Sequence, residues 1–390
     1  MKKCLKILLV IVVVTIIGLF CLYRYFECNP IFLGGGPSGP RPERCDIKEK
    51  EQQRKTQMAQ LEQLAALEFT CKKEVQPPLS EETQQLYNYA LYHDLHNMWT
   101  GDKGDDVWNG LARYYRIAAA NGDYKANVRL QYLLNTGRIS TDMPQTEVHN
   151  LNEELAKQLP ATAYYNLYGY LDEGYGVRTE EGGKYAYLRK AADLGSREAQ
   201  YTVAEMLADI EDSEETEEAF KYRLKLVKQL RTCASEQGLG DASSNLGSSF
   251  KLSKKYAEAV KSYHQGVKNG DSISASVLKR AFSQKTSKDS FDFLDLALDE
   301  ERSRRYDIIW NYLAKYDYLQ PKVPDLDEIV PLPPAKLPEW DGKIAFQRWY
   351  EGEAPPKPSE ALMQKLANQA GLRVDTGLDL ETGLPREVKK

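Results

Sequence analysis

The chain has 390 residues, of which 42% are hydrophobic and 28% are charged, and its formal net charge is −5. This apolar fraction is sufficient for a folded core, which excludes a wholly disordered chain. The first 27 residues carry four basic groups and one acidic group, so the remainder has 48 basic and 56 acidic side chains, a balance of −8. Such an acidic body argues against a nucleic-acid-binding protein, because phosphate recognition requires a basic surface.

The N-terminal segment, residues 1–27, has the pattern of a membrane anchor. Lys2, Lys3 and Lys6 precede an apolar run over residues 7–23. With its flanks this run has about 20 residues, enough for a helix to cross one bilayer core. An uncleaved anchor is favoured over a cleaved signal peptide, because bulky residues stand where a cleavage site needs small ones. The lysines before the span predict a cytoplasmic N-terminus and a periplasmic body attached to the inner membrane.

Two short segments connect the anchor to the body. Residues 28–45 are rich in Gly and Pro and are predicted to be a flexible linker. Residues 46–79 are predicted to contain an amphipathic helix, from about 46 to 69, that caps the domain behind it.

The exported part contains four cysteines, an even count in an oxidising compartment: Cys28, Cys45, Cys71 and Cys233. If residues 46–69 form one helix, Cys45 and Cys71 lie roughly 39 Å apart and cannot pair. The sequence leaves the connectivity open, as well as the alternative that these residues are buried thiols.

The body, residues 80–316, contains an internal repeat. The string Ala-Ala-x-x-Gly-x-x-x-Ala occurs at residues 118–126 and 191–199, with a degraded copy at 234–242. The steps from Ala126 to Ala163 and from Ala163 to Ala199 are 37 and 36 residues, which lie in the range of helix-turn-helix repeats. In such a repeat the glycine closes one helix in the left-handed conformation, and the alanines let neighbouring helices approach closely.

The most complete unit starts at Ala163 and passes through the turn Gly174-Tyr175-Gly176-Val177 to a second helix that ends before Gly195. This pattern resembles the Sel-like repeat, a relative of the tetratricopeptide repeat. The resemblance implies an all-α fold, an α-solenoid of about five or six helical pairs.

Residues 317–390 form a proline-rich C-terminal extension. Nine of the 18 prolines fall between Pro321 and Pro358, and the segments 321–324 and 331–338 cannot form helix or central strand. Large apolar residues are interleaved with these prolines, which predicts that the extension packs against the solenoid. Near its end, Ser359 is predicted to cap a helix over residues 360–370 that Gly371 terminates.

The region from Arg304 to Leu384 resembles an uncharacterised domain family that accompanies Sel-like repeats in Gram-negative bacteria. Proteins of this kind are often encoded beside secreted lipase-type effectors of type VI secretion systems. The resemblance therefore implies an immunity protein.

No catalytic motif, cofactor site or metal site is predicted. His93 and His96 lie three residues apart, as zinc ligands do, but no Cys or Glu at ligand spacing completes a site. No nucleophile elbow, P-loop or Rossmann fingerprint is present in the sequence. We therefore expect a protein that is not an enzyme.

In a stack of this kind the first helix of each unit lines a concave groove. Helix register gives eight candidate partner-binding residues: Arg129, Tyr132, Tyr165, Asp172, Thr202, Glu205, Asn245 and Ser248. The first hypothesis is a membrane-anchored periplasmic protein that binds and neutralises a secreted lipase-type effector. The alternative is a cell-envelope scaffold or regulatory adaptor. The sequence leaves open the partner, the oligomeric state, and whether the groove or the C-terminal extension binds.

Overall fold

The computed structural model describes residues 68–387, except 99–103, 212–214, 216, 284–289 and 291. The predicted membrane span and the linker lie outside these residues, as does the predicted helix over residues 46–69 except for its last two residues, 68 and 69, which are not helical. Among the helices that are described, none is long and apolar enough to cross a bilayer. The described part contains fifteen α-helices, and its one β-type contact is an isolated bridge between Leu372 and Asp379. An all-helical architecture, as predicted, is therefore confirmed for this part of the chain.

Twelve of the helices form six consecutive pairs. They are α1 (Glu81–His96) with α2 (Gly104–Ala120), α3 (Tyr124–Asn135) with α4 (Pro144–Ala156), α5 (Pro160–Glu173) with α6 (Gly183–Leu194), α7 (Arg197–Ala208) with α8 (Glu217–Glu236), α9 (Gly240–Leu252) with α10 (Tyr256–Lys268), and α11 (Ser272–Ser283) with α12 (Glu300–Lys315). Each of these helices packs against the next along the chain, which is the arrangement of a solenoid.

The repeat string marks the turns between pairs. A glycine with positive φ follows the second helix of four pairs: Gly122, Gly195, Gly238 and Gly270. The alanine that ends each copy of the string has no exposed surface: Ala126, Ala199 and Ala242. A larger side chain there would hold the adjacent helices apart, so the alanines of the repeat string lie where neighbouring helices approach closely.

Three further helices lie in the C-terminal extension: α13 (Leu326–Ile329), α14 (Ala345–Tyr350) and α15 (Glu360–Ala370). Helix α15 has the predicted bounds, and its N-cap is Ser359. Met363 and Leu366 of α15 belong to the apolar core of α1–α3. Val323 and Leu326 belong instead to the core of α10–α12. The extension thus packs on both ends of the solenoid, as a segment with so many large apolar residues requires.

Two buried arginines of α12 hold the proline-rich part of the extension. Arg305 donates through Nη1 to the carbonyl oxygen of Ile329 at 2.6 Å and through Nη2 to that of Pro338 at 2.7 Å. Arg302 donates through Nε to the carbonyl oxygen of Pro331 at 3.1 Å. Chain that cannot form helix or sheet leaves its carbonyl groups without backbone partners, and a guanidinium supplies several donors in one place.

A second extended segment, residues 71–79, precedes α1, and we call it the N-terminal strap. Cys71 forms a disulfide with Cys233 of α8, 162 residues away in sequence, with a Cα–Cα distance of 5.7 Å. Towards its other end, Gln76 accepts a hydrogen bond from the hydroxyl of Tyr124 in α3 at 2.8 Å. The strap therefore runs from α8 to α3, past the turn that carries Gly195.

Between these ends the strap bonds to the start of α5. The carboxylate of Glu74 accepts hydrogen bonds from the backbone N–H groups of Ala161 at 2.6 Å and Thr162 at 3.1 Å. These N–H groups have no partner within the helix, and a carboxylate is favoured at the positive end of the helix dipole. A side chain 87 residues upstream of Ala161 thus does the work of an N-cap.

Replacing both Cys71 and Cys233 by Ser should lower the free energy of unfolding by about 2–4 kcal/mol, because the link restricts a long loop of the unfolded chain. Urea denaturation with and without reductant measures the effect. Reductant should destabilise the wild type and leave the double variant unchanged. Equal stability of the two proteins under oxidising conditions would contradict the prediction.

Two glycines offer a matched test of the strap. Both Gly195 and Gly174 close a helix with positive φ. A Cβ at Gly195 would lie 2.6 Å from the backbone nitrogen of Glu74, whereas one at Gly174 would meet nothing within 4 Å. Gly174→Ala should cost about 1–2 kcal/mol, the left-handed penalty alone. Gly195→Ala should cost about 1–3 kcal/mol more, because the strap must move. Thermal unfolding of both variants measures the two losses of stability. Equal losses would mean that the strap can move away from Gly195 without a cost in stability.

Candidate partner-binding surface

The eight candidate residues lie on the first helices of four successive pairs. Helix α3 carries Arg129 and Tyr132, α5 carries Tyr165 and Asp172, α7 carries Thr202 and Glu205, and α9 carries Asn245 and Ser248.

Several of these side chains bond to one another between neighbouring pairs. The hydroxyls of Tyr165 and Thr202 lie 3.4 Å apart and join α5 to α7. Asn245 of α9 donates through Nδ2 to the hydroxyl of Tyr201 and to Oε2 of Glu205, both at 3.0 Å, and joins α9 to α7. These bonds join α5 to α7 and α7 to α9, and we call them the polar ladder.

The ladder is anchored from the second helix of the α7–α8 pair. Arg231 donates through Nε to Oε1 of Glu205 at 2.8 Å, so both oxygens of this carboxylate are bonded. Burial raises the pKa of Tyr201 to about 12, and the charges of Glu205 and Asp241 add to the effect. Tyr201 thus keeps its hydroxyl proton at neutral pH.

Arg129 takes part in a buried charge network. Asp94 of α1 has no exposed surface and accepts hydrogen bonds from Arg129 Nε at 2.7 Å, Trp108 Nε1 at 2.9 Å and the Tyr115 hydroxyl at 2.9 Å. These donors come from α2 and α3, so one carboxylate holds the first three helices together. Arg129 is thus a structural cation more than a free contact group.

Above this network lies a surface cluster of arginine and aromatic rings. The guanidinium of Arg129 lies 4.7 Å from the ring centroid of Tyr132, which is 40% exposed. Arg138 lies over the same ring at 5.2 Å and over the ring of Trp108 at 5.3 Å, and it donates to the Tyr132 hydroxyl. Tyr, Trp and Arg are the residue types that dominate binding energy in protein interfaces. Tyr132 is the candidate that combines an exposed ring with a rigid support.

The remaining candidates are placed differently. Asp172 is exposed and forms an ion pair with Lys184 of α6. Ser248 lies 3.1 Å from the hydroxyl of Tyr263. The tyrosines of α5 and α6 pack on one another, for example Tyr168 and Tyr185 with ring centroids 6.3 Å apart. Most of the tyrosine cluster is thus half-buried packing.

Sequence reasoning missed the contributions of Tyr201, Arg138 and Asp94. Tyr201 precedes the candidate Thr202 on the same helix, so a shift of one residue in register would have found it. Asp94 is polar on a helix face whose other buried members are mainly apolar, including Leu86 and Ala90. A buried carboxylate at such a position signals a partner cation elsewhere in the chain.

The histidine pair considered for zinc has another setting. His96 stacks on aromatic rings, and His93 packs against Tyr89 with ring centroids 4.5 Å apart. Within the residues that the structure describes, no group of three or more His, Cys, Asp or Glu side chains is arranged to hold a metal ion.

Comparisons with known proteins place this architecture. A family model described as a domain of unknown function, DUF6396, matches residues 274–385. Among solved structures, the chain is similar to the immunity protein PA5088 from Pseudomonas aeruginosa, with 23% identity, a TM-score of 0.50, and coverage of 68% of this chain and 94% of that chain. It is also similar to a Sel1 repeat protein from Oxalobacter formigenes, with 17% identity, a TM-score of 0.36, and coverage of 59% of this chain and 97% of that chain. The comparison with curated proteins finds no match.

A further similar structure is the immunity protein Pa5087 from Pseudomonas aeruginosa, with 23% identity, a TM-score of 0.47, and coverage of 68% of this chain and 95% of that chain. The expected resemblance to Sel-like repeat proteins and to immunity proteins is confirmed. At these identities the likeness to the solved structures is one of fold.

The buried network gives a prediction for stability. Asp94→Asn should lower the free energy of unfolding by roughly 3–5 kcal/mol, because Arg129 would remain buried without its counter-charge. Asp172→Asn removes an exposed ion pair and should cost less than about 1 kcal/mol. Urea denaturation of both variants is the measurement. A small effect of Asp94→Asn would show that the network contributes little to holding α1–α3 together.

Proposed function

We propose that this chain is a membrane-anchored periplasmic immunity protein that binds a secreted effector of lipase type and neutralises it. The observation that carries the proposal is the likeness of fold to the immunity protein PA5088, which extends over 94% of that chain. The confirmed match of residues 274–385 to an uncharacterised domain family adds to it, because the sequence resemblance that implied immunity falls in the same region.

The disulfide supports an exported body. Bonds such as Cys71–Cys233 form and persist in oxidising compartments and are rare in the cytosol. The N-terminal lysines and the apolar run over residues 7–23 predict the same side of the membrane for this domain. An effector delivered into the periplasm would meet its antagonist there.

The proposed mechanism is occlusion. A groove whose side chains are already bonded to one another loses little side-chain entropy when a partner docks, which favours tight binding. The exposed ring of Tyr132 supplies an anchor, and the acceptors and donors of the α7–α9 ladder supply specificity. A protein seated there would have its active site, or the entrance to it, covered.

Deleting the gene for this protein should leave cells sensitive to neighbours that deliver the effector, and a plasmid copy of the gene should restore protection. Competition assays beside wild-type and effector-deficient attackers measure this. Unchanged survival of the deletion strain under attack would refute the immunity role. A growth defect without any attacker would favour the alternative, a cell-envelope scaffold or regulatory adaptor.

The proposed role of the groove in binding the effector can be tested by substitution. Tyr132→Ala should weaken binding by about 2 kcal/mol or more, roughly 30-fold, as expected for a central aromatic anchor. Tyr222→Ala is the matched control, because Tyr222 lies on α8 and is 49% exposed. Calorimetric titration of both variants, with melting curves to confirm folding, is the measurement. Equal affinities would place the binding surface outside this part of the groove.

A further inference from the structure

The last and first helical pairs are connected by the short helix α14. Phe346 of α14 packs against the core of α10–α12. At the other end of α14, the ring of Tyr350 stacks on His96 of α1, with ring centroids 4.1 Å apart and an interplanar angle of 13°. On its opposite face the His96 ring stacks on Tyr92, also at 4.1 Å. The imidazole is therefore held between two aromatic rings, one from each side of the junction.

The hydrogen bonds of His96 impose a condition on its protonation. Nδ1 lies 2.7 Å from the carbonyl oxygen of Tyr92, and Nε2 lies 2.9 Å from the carbonyl oxygen of Tyr350. A carbonyl oxygen can only accept, so each contact requires an N–H on the ring. A neutral imidazole has one N–H, and only the imidazolium has two. Both bonds can be made together only when His96 is protonated.

His264 shows the contrasting case within the same chain. Its Nδ1 lies 2.8 Å from the hydroxyl of Tyr306, which can donate, and its Nε2 lies 2.7 Å from a carboxylate oxygen of Asp327. A neutral ring satisfies both partners. Burial lowers the pKa of His264, which keeps it neutral at physiological pH. Two acceptor-only partners are thus a specific feature of His96 and not a general property of histidines in this fold.

We propose that His96 is a proton-dependent latch that holds α14 on α1 and so connects the last helical pair to the first. Protonation supplies the second donor and adds the attraction of a cation to two aromatic faces. The latch is therefore closed when the ring is charged. It weakens as rising pH removes the proton, because a lone pair of the ring then faces a carbonyl oxygen.

The other titratable groups near the contact of α14 with α1 are mostly tyrosines, an arginine and a glutamate. On α1 the neighbouring titratable side chains are Tyr92 and His93, and on α14 they are Tyr350 and Arg348. Glu351 follows α14 and is bonded by Lys343 at 2.7 Å, which lowers its pKa and keeps it ionised. Burial raises the pKa of Tyr350, and Tyr318 and Tyr316, which follow α12, add to the effect. Histidine is the residue type among them that serves as a switch in the physiological pH range, and burial lowers the pKa of His93.

The rest of the extension does not depend on this proton. Helix α15 remains attached to α2 through Met363, Leu366 and Ala367, which are buried in the first core. Opening of the latch therefore weakens the contact of α14 with α1, while Phe346 still packs against the core of α10–α12 and the Tyr92 hydroxyl still donates to the carbonyl oxygen of Gly352 at 2.9 Å. Trp349 reports on the event, because its ring packs edge-on against Tyr92 with centroids 5.9 Å apart.

The experiment is acrylamide quenching of tryptophan fluorescence in the purified full-length chain at about pH 5.5 and about pH 8. The contribution of Trp349 is obtained by subtracting the signal of Trp349→Phe. We expect the quenching constant of Trp349 to rise by about twofold at the higher pH, because His96 loses its second hydrogen bond together with its second proton. A constant that does not change with pH in the wild type would overturn the proposal.

Two variants separate the histidines. His96→Gln has no titrating ring, so the pH dependence should disappear, whereas His93→Gln should retain it. Persistence of the full pH response in His96→Gln, or its loss in His93→Gln, would refute the assignment. Nitrogen-15 NMR of histidine-labelled wild type tests it without any substitution: the latch requires two N–H groups on His96 at about pH 5.5. A ring with a single proton there would overturn it.

Discussion

A stack of helical pairs leaves the apolar faces of its first and last pairs without a neighbour, and this protein must cover both. One segment does so: the C-terminal extension places Val323 and Leu326 on the last pairs and Met363 and Leu366 on the first. Because the two ends are covered by the same piece of chain, the path between them is constrained as well. The position of α14 against α1 follows from that constraint.

The strap and the extension together limit how far the solenoid can flex. The disulfide at Cys71 and the bonds of Glu74 connect α8, α5 and the segment leading into α1, so neighbouring pairs cannot slide independently. The polar ladder joins the α5–α6 pair to the α7–α8 pair a second time, through Tyr165 and Thr202, and continues to α9 through Asn245. A partner would meet a surface whose shape is set beforehand, which suits recognition of one specific protein.

How much of this could be predicted depends on the distance between interacting residues. The repeat glycines and alanines, the Ser359 cap and the helix ended by Gly371 are local patterns, and the structure has them where the sequence predicts them. The disulfide partner of Cys71, the cap supplied by Glu74 and the buried pair of Asp94 with Arg129 join residues that no local pattern relates. Helix register placed the candidate residues on the first helices, but their bonds to the neighbouring pairs depend on side chains of other repeats.

The two ways of attaching the extension have different consequences. Apolar contacts, such as those of α15, stabilise over the whole physiological pH range, because no charge changes when they form. The junction of α14 with α1 is built instead from a histidine between two carbonyl oxygens, whose second hydrogen bond exists only with a second proton. The use of an imidazole gives the proposed latch between α14 and α1 a dependence on acidity that the apolar caps at either end of the solenoid do not have.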